Sequence, residues 1–272
     1  MKCKNWPIGV CTWSLRTDID GVAEAMNGIG IDHVHLGVRA ALGAEGDDYL
    51  AAVQGKDWTI SATMIDFPQE DYSTLDSIKL TGGVGPDEYW EQTCELFLGA
   101  AEVTEKLGVK YLSMHAGFID ESDAVYAEKF YERIRCLADA ASERDIMLLL
   151  ETGQETAEEL RRFLKELNHP AIAVNFDPAN MILYDKGDPI EAVRVLSPWI
   201  KHIHIKDAIR TKEPGTWGLE VPWGEGQVGP EAFLSVLEEI GFEGTLAIER
   251  EAGDDRVGDV KLAADRLSSL SG

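Results

Sequence analysis

One pattern recurs along this chain and restricts its folding more than any other. A short apolar run rich in β-branched residues is followed by a polar turn and then by an amphipathic helical segment. Such alternation builds βα units around a parallel sheet. Eight strands are predicted, near residues 8–14, 33–38, 59–65, 109–115, 146–151, 172–177, 200–206 and 244–249. Helices are predicted over 87–107, 123–144, 156–167, 188–198, 230–240 and 255–270. Gly108 stands at a helix C-cap, Thr156 with Glu159 forms a capping-box pattern, and Pro189 and Pro230 suit first helical turns. Eight such units close as a barrel or spread as an open doubly wound sheet. No glycine-rich phosphate fingerprint follows the first strand, which disfavours the open dinucleotide-binding sheet. The expectation is an α/β fold, a single (β/α)8 TIM barrel spanning 1–272 as one domain.

Charge narrows the choice of partner. The formal net charge of −24 repels phosphate backbones, and no run of Lys and Arg offsets it locally. Nucleic acid is therefore not expected as a ligand. No apolar stretch approaches the roughly 20 residues that span a bilayer, so no membrane partner is expected either. Cys3, Cys11, Cys94 and Cys136 are scattered without a CxxC pairing. That spacing argues against a disulfide framework or structural zinc and fits a reducing cytoplasm.

In a barrel of this kind, chemistry gathers at the carboxyl ends of the strands. The last four predicted strands all end in ionisable groups: Glu151 in LLLETG, Asp177 in VNFDPAN, His204 in IHIHIKD and Glu249 in LAIERE. Each is about one βα unit from the next, which brings all four to one rim. A single acidic strand end is often a helix cap or an ion-pair partner. Four on consecutive strands, each after an apolar run, would leave costly buried charge unless a cation offsets it. Two glutamates, an aspartate and a histidine make a hard, oxygen-rich shell for one divalent ion. Mn²⁺ is the leading candidate, Mg²⁺ and Co²⁺ suit the same donors, and Zn²⁺ is compatible.

The chain also resembles the xylose-isomerase-like superfamily of barrels, described broadly as sugar phosphate isomerases and epimerases. The stretches that carry the resemblance are ETGQETAEEL (151–160), NFDPANM (175–181), HIHIKDA (202–208), VPWGEGQV (221–228) and LAIERE (246–251). The resemblance implies that Glu151, Asp177, His204 and Glu249 hold one divalent cation. It implies proton abstraction beside a carbonyl through an enediolate, with Glu151 and Glu249 as the acid–base pair. The His-x-Lys-Asp pattern points to His204 rather than His202 as the ligand, leaving His202 a core or a functional histidine. Arg210 matches an arginine that contacts substrate in ketohexose epimerases of this superfamily, the alternative being a loop salt bridge. His115, ending the fourth strand, matches a histidine near substrate. Two positions depart from the ketohexose epimerases: Asn180, itself expected to contact substrate, replaces a substrate-contacting histidine, and Ala157 replaces a second glutamate.

Further substrate contacts are expected at Trp13, as a wall against a sugar face or as core packing, and at Lys206, which touches substrate or pairs with Asp207. Glu251 is placed beyond the ligand shell. The 210–228 loop, with Trp217 and Trp223, is expected to form a mobile cover. The favoured function is a metal-dependent isomerase or epimerase of a free sugar, keto-sugar or inositol-like ring; no phosphate cradle is visible, and a homo-oligomer is allowed. The alternatives are a lyase such as an inosose dehydratase or a 3-keto-glycoside lyase, an abasic-site endonuclease, and a non-catalytic sugar-binding subunit.

Overall fold

The computed structural model describes residues 1–270. Eight parallel strands form the barrel: β1 (Trp6–Cys11), β2 (His33–Gly37), β3 (Thr59–Met64), β4 (Tyr111–Met114), β5 (Met147–Glu151), β6 (Ile172–Phe176), β7 (Ile200–Ile205) and β8 (Leu246–Ile248). Each strand pairs in parallel with the next, and β8 pairs with β1 in the register Leu246↔Ile8 to Ile248↔Val10, which closes the ring. Lys2–Cys3 adds a short antiparallel strand on β1. No helix among the described residues is long and apolar enough to cross a membrane.

The predicted strands are all present, with ends shifted by a few residues. Residues 12–15 wind into a 3-10 turn rather than extending the first strand, so Trp13 sits on that turn above β1. Asp177 lies one residue beyond β6, as the N-cap of a short helix. Four helices lie outside the predicted set: α1 (Ile19–Ile29), α2 (Gly46–Gln54), α3 (Leu75–Thr81) and α7 (Pro178–Leu183). The six predicted ones appear as α4 (Trp90–Lys106), α5 (Ala124–Ser142), α6 (Ala157–Leu167), α8 (Pro189–Leu196), α9 (Pro230–Glu239) and α10 (Arg256–Ser269). Thr156 and Glu159 make the capping box in full: the Thr156 hydroxyl accepts from the Glu159 amide, and the Glu159 carboxylate accepts from the Thr156 amide.

Side chains alternate along the strands, as a period of two requires. One set, including Ile8, Val10, Val34, Leu36, Leu148, Leu150, Val174, Phe176, Ile203 and Ile205, packs with Phe97, Phe130, Phe163 and Phe233 of the helices into the main core. The other set faces the barrel axis and is unusually polar. His35, Ser61, Asn175, His202 and His204 lie within hydrogen-bond distance of one another there. A polar interior of this sort holds only if each group finds a partner.

Behind the fourth strand, Gly83 has φ +58 and runs against the Ala116–Gly117 backbone. A Cβ at this position would stand 2.1 Å from the Ala116 carbonyl and 2.3 Å from the Gly117 nitrogen, both backbone atoms. Gly83→Ala should therefore cost more than about 3 kcal/mol, since the clash adds to the left-handed strain. Urea unfolding measures it, and a loss under about 1 kcal/mol would contradict this packing.

Candidate metal centre and active-site cleft

The carboxyl ends of β5 to β8 carry the site. Asp177 serves two elements at once. Its Oδ1 accepts the Asn180 amide at 2.9 Å and so caps α7, while its buried Oδ2 has no hydrogen-bond partner. Thr152 locks that corner by donating to the Asp177 carbonyl (3.1 Å) and accepting from the Asp177 amide (2.9 Å). Pro178 fits the first turn of α7, where no amide donor is needed.

Three carboxylates converge on one ring nitrogen. His204 Nδ1 lies 3.3 Å from Glu151 Oε1, 3.4 Å from Glu249 Oε2 and 3.6 Å from Asp177 Oδ2. The four ligand atoms all lie within 4.8 Å of one another, and all four residues are buried. His204 Nδ1 has no hydrogen-bond partner, like Asp177 Oδ2 facing it. Unpartnered donor atoms, buried and aimed at one point, fit a cation between them. The three oxygens and one nitrogen suit a hard or borderline divalent ion.

Surrounding groups hold the carboxylates in place. Glu249 accepts from Trp13 Nε1 at 2.8 Å and from Lys206 Nζ at 2.8 Å. Burial alone would raise its pKa, but Lys206 and His204 outweigh burial and hold the carboxyl well below the usual range. Asn180 Nδ2 donates to Glu151 Oε1 at 3.1 Å, and Asn180 Oδ1 accepts from Lys206 at 3.3 Å. Asn180 thus ties one glutamate to the lysine that serves the other. His115 Nε2 stands 3.8 Å from Glu151 Oε2. Beneath the site, burial pushes His35 down to about 3 and His202 well below the ordinary imidazole value, so both are neutral.

Above these residues opens a cleft of about 800 Å³. Trp13, His115, Asn180, Lys206 and Glu249 line it, as do Glu70, Tyr72, Tyr184, Trp217 and Glu251. Tyr184 and Trp217 meet edge to face, with ring centroids 4.6 Å apart.

A model of the xylose isomerase-like TIM barrel family matches residues 22–270. The chain belongs to the xylose isomerase-like TIM barrel family. Over nearly its whole length this xylose isomerase-like barrel is similar to a xylose isomerase domain protein from Planctomyces limnophilus. The two share 29% identity and a TM-score of 0.87, covering 99% of this chain and 98% of the other. It is 38% identical to the uncharacterized protein YihM of Escherichia coli over 80 residues, which is 29% of this chain and 24% of that protein. It is 28% identical to a 3-dehydroshikimate dehydratase of Bacillus anthracis over 85 residues, 29% of this chain and 30% of that enzyme. The matched stretches thus span less than a third of these two curated relatives. Epimerases and dehydratases both occur among proteins of this fold.

Other residues of this xylose isomerase-like barrel fall differently from the expectation. Arg210 does not line the cleft: its guanidinium pairs with Asp185 and donates to the Gly187 carbonyl at 2.8 Å. Lys206 turns away from Asp207 and pairs with Glu249 and with the half-exposed Glu251 (2.6 Å). Asp207 instead accepts from the backbone amides of Ala208, Gly224, Gly226 and Val228. Those bonds anchor the 210–228 segment, whose Leu219–Val221 strand pairs antiparallel with Asp207–Ile209. Trp217 lines the cleft, whereas Trp223 is buried against Phe233. Glu70 and Tyr72 were not anticipated. They lie in the loop after β3, and Asp66, two residues past the end of that strand, was the available signal.

Proposed function

We propose that this chain is a divalent-metal-dependent enzyme that removes a proton beside the carbonyl of a small sugar or keto-sugar and returns it, yielding an epimer or isomer. The observation that carries this reading is the meeting of Glu151 and Glu249 at His204 Nδ1, at the floor of a cleft of sugar-accommodating size. Glu151, Asp177, His204 and Glu249 would hold the ion, Mn²⁺ by preference, and when bound it supplies Lewis-acid polarisation of the carbonyl. Glu151 takes the proton from carbon, its Oε1 steadied by Asn180. Glu249, kept ionised by Lys206 and oriented by Trp13, flanks the reacting carbon as the second acid–base group. Trp13, Tyr184 and Trp217 exclude water and offer faces to the sugar ring.

Elimination is the second reading, favoured by the matches to 3-dehydroshikimate dehydratase and inosose dehydratase. Here His115, beside Glu151, would protonate the leaving oxygen. One experiment separates the two readings. The Mn²⁺-loaded protein is incubated in D₂O with a ketohexose, and separately with an inosose. Deuterium at the carbon beside the carbonyl of an epimer or isomer supports the first reading. An unsaturated product supports the second, and no exchange with either probe counts against both.

A further inference from the structure

We propose that His35 is a positioning residue for the metal site, accepting the Nε2–H of His204 and so leaving Nδ1 of His204 free for a cation. The inference rests on the metal reading above. His35 Nδ1 and His204 Nε2 are 2.9 Å apart, both fully buried. A neutral imidazole carries one N–H, so a histidine whose Nδ1 lone pair meets a metal has its proton on Nε2. That proton needs an acceptor inside the barrel.

The neighbours leave one candidate. Asn175 lies 3.1 Å from His204 Nε2, but it presents its amide nitrogen, a donor. The Asn175 oxygen is turned to His202 Nδ1 at 2.9 Å. The Asn175 amide hydrogens have other acceptors, Ser113 Oγ at 3.3 Å and Glu151 Oε2 at 3.5 Å. Cys11 Sγ stands 4.0 Å from His35 Nδ1, a weak partner at the limit of contact. His35 Nδ1 is therefore the acceptor, with its own proton on Nε2, a buried atom that has no hydrogen-bond partner among the described residues.

Cys11, His35 and His204 also form a group from which a second ion could be drawn. The nitrogen separation argues against that. Two nitrogens on one tetrahedral ion, at bonds of about 2.05 Å, stand about 3.3 Å apart. The observed 2.9 Å is a hydrogen-bond distance. Ser61, bonded to His202 Nε2 at 3.0 Å, completes a chain of side chains that fixes the floor beneath the carboxylates.

The test compares Mn²⁺ binding by equilibrium dialysis in the wild type, His35→Leu and His35→Gln, alongside the thermal midpoint of each metal-free protein. His35→Leu is expected to weaken Mn²⁺ binding about 10- to 100-fold with the fold retained. His35→Gln, whose amide oxygen can accept, is expected to recover much of that loss. In the Zn²⁺-loaded wild type, imidazole ¹⁵N spectra should show a proton on His204 Nε2 coupled to His35 Nδ1. That measurement needs no variant to fold. Wild-type affinity in His35→Leu, or a proton found on His35 Nδ1 in the loaded wild type, overturns the inference and leaves the metal site standing. A wild type that holds no ion overturns both.

Discussion

Glu151→Gln is expected to lower kcat by about a thousandfold under saturating Mn²⁺, within the range for loss of a general acid–base group. The substitution keeps the shape and an oxygen donor for the ion but removes the proposed base. The amide oxygen can still face His204 Nδ1, now 3.3 Å from Glu151 Oε1. Some metal affinity should therefore survive, and raising the metal concentration separates binding from chemistry. Turnover is followed with whichever probe exchanges deuterium in the wild type. A variant within tenfold of wild type at saturating Mn²⁺ would remove Glu151 from the proton-transfer step.

Lys206→Met should produce the largest change in stability. Lys206 is almost fully buried and bonds Glu249 at 2.8 Å, with Asp177 at 3.6 Å and Glu251 at 2.6 Å. Removing the cation leaves Glu249 and Asp177 buried without it, and breaking such a pair typically costs about 3–5 kcal/mol. The loss should be largest in the metal-free protein. A divalent ion among the same carboxylates compensates for the missing lysine, so the cost should shrink under saturating Mn²⁺. Urea unfolding in chelator and in excess Mn²⁺ gives both values. An equal loss in the two conditions would mean that Lys206 and the ion do not share the carboxylates.

The barrel was legible because its signal repeats and is local: apolar runs of strand length alternate with helical amphipathic segments. The convergence of Glu151, Asp177, His204 and Glu249 was legible for the same reason, since topology turns four successive strand ends into neighbours. Contacts that depend on side-chain direction were not. Lys206 could be placed at a strand end, but its choice of Glu249 and Glu251 over the adjacent Asp207 is set across the barrel. Arg210 follows the family spacing, yet the turn at Asp185 and Gly187 draws its guanidinium outward. His35 lies within a strand and has no strand-end mark; only closure of the ring brings it to His204. Helix α1, as long as α6, carried a legible apolar stripe in Ile19, Val22, Met26 and Ile29 and was missed all the same, whereas α7 is only six residues long.

The carboxylate of Asp207 gathers amides from both sides of one long excursion of the chain, at Ala208 and at Gly224, Gly226 and Val228. The stems are therefore fastened near the barrel, while the tip at 211–216 lies at the surface and bonds mainly to itself. A change in that tip can therefore reach the cleft through the adjoining Trp217 while the four amide bonds to Asp207 keep both stems in place.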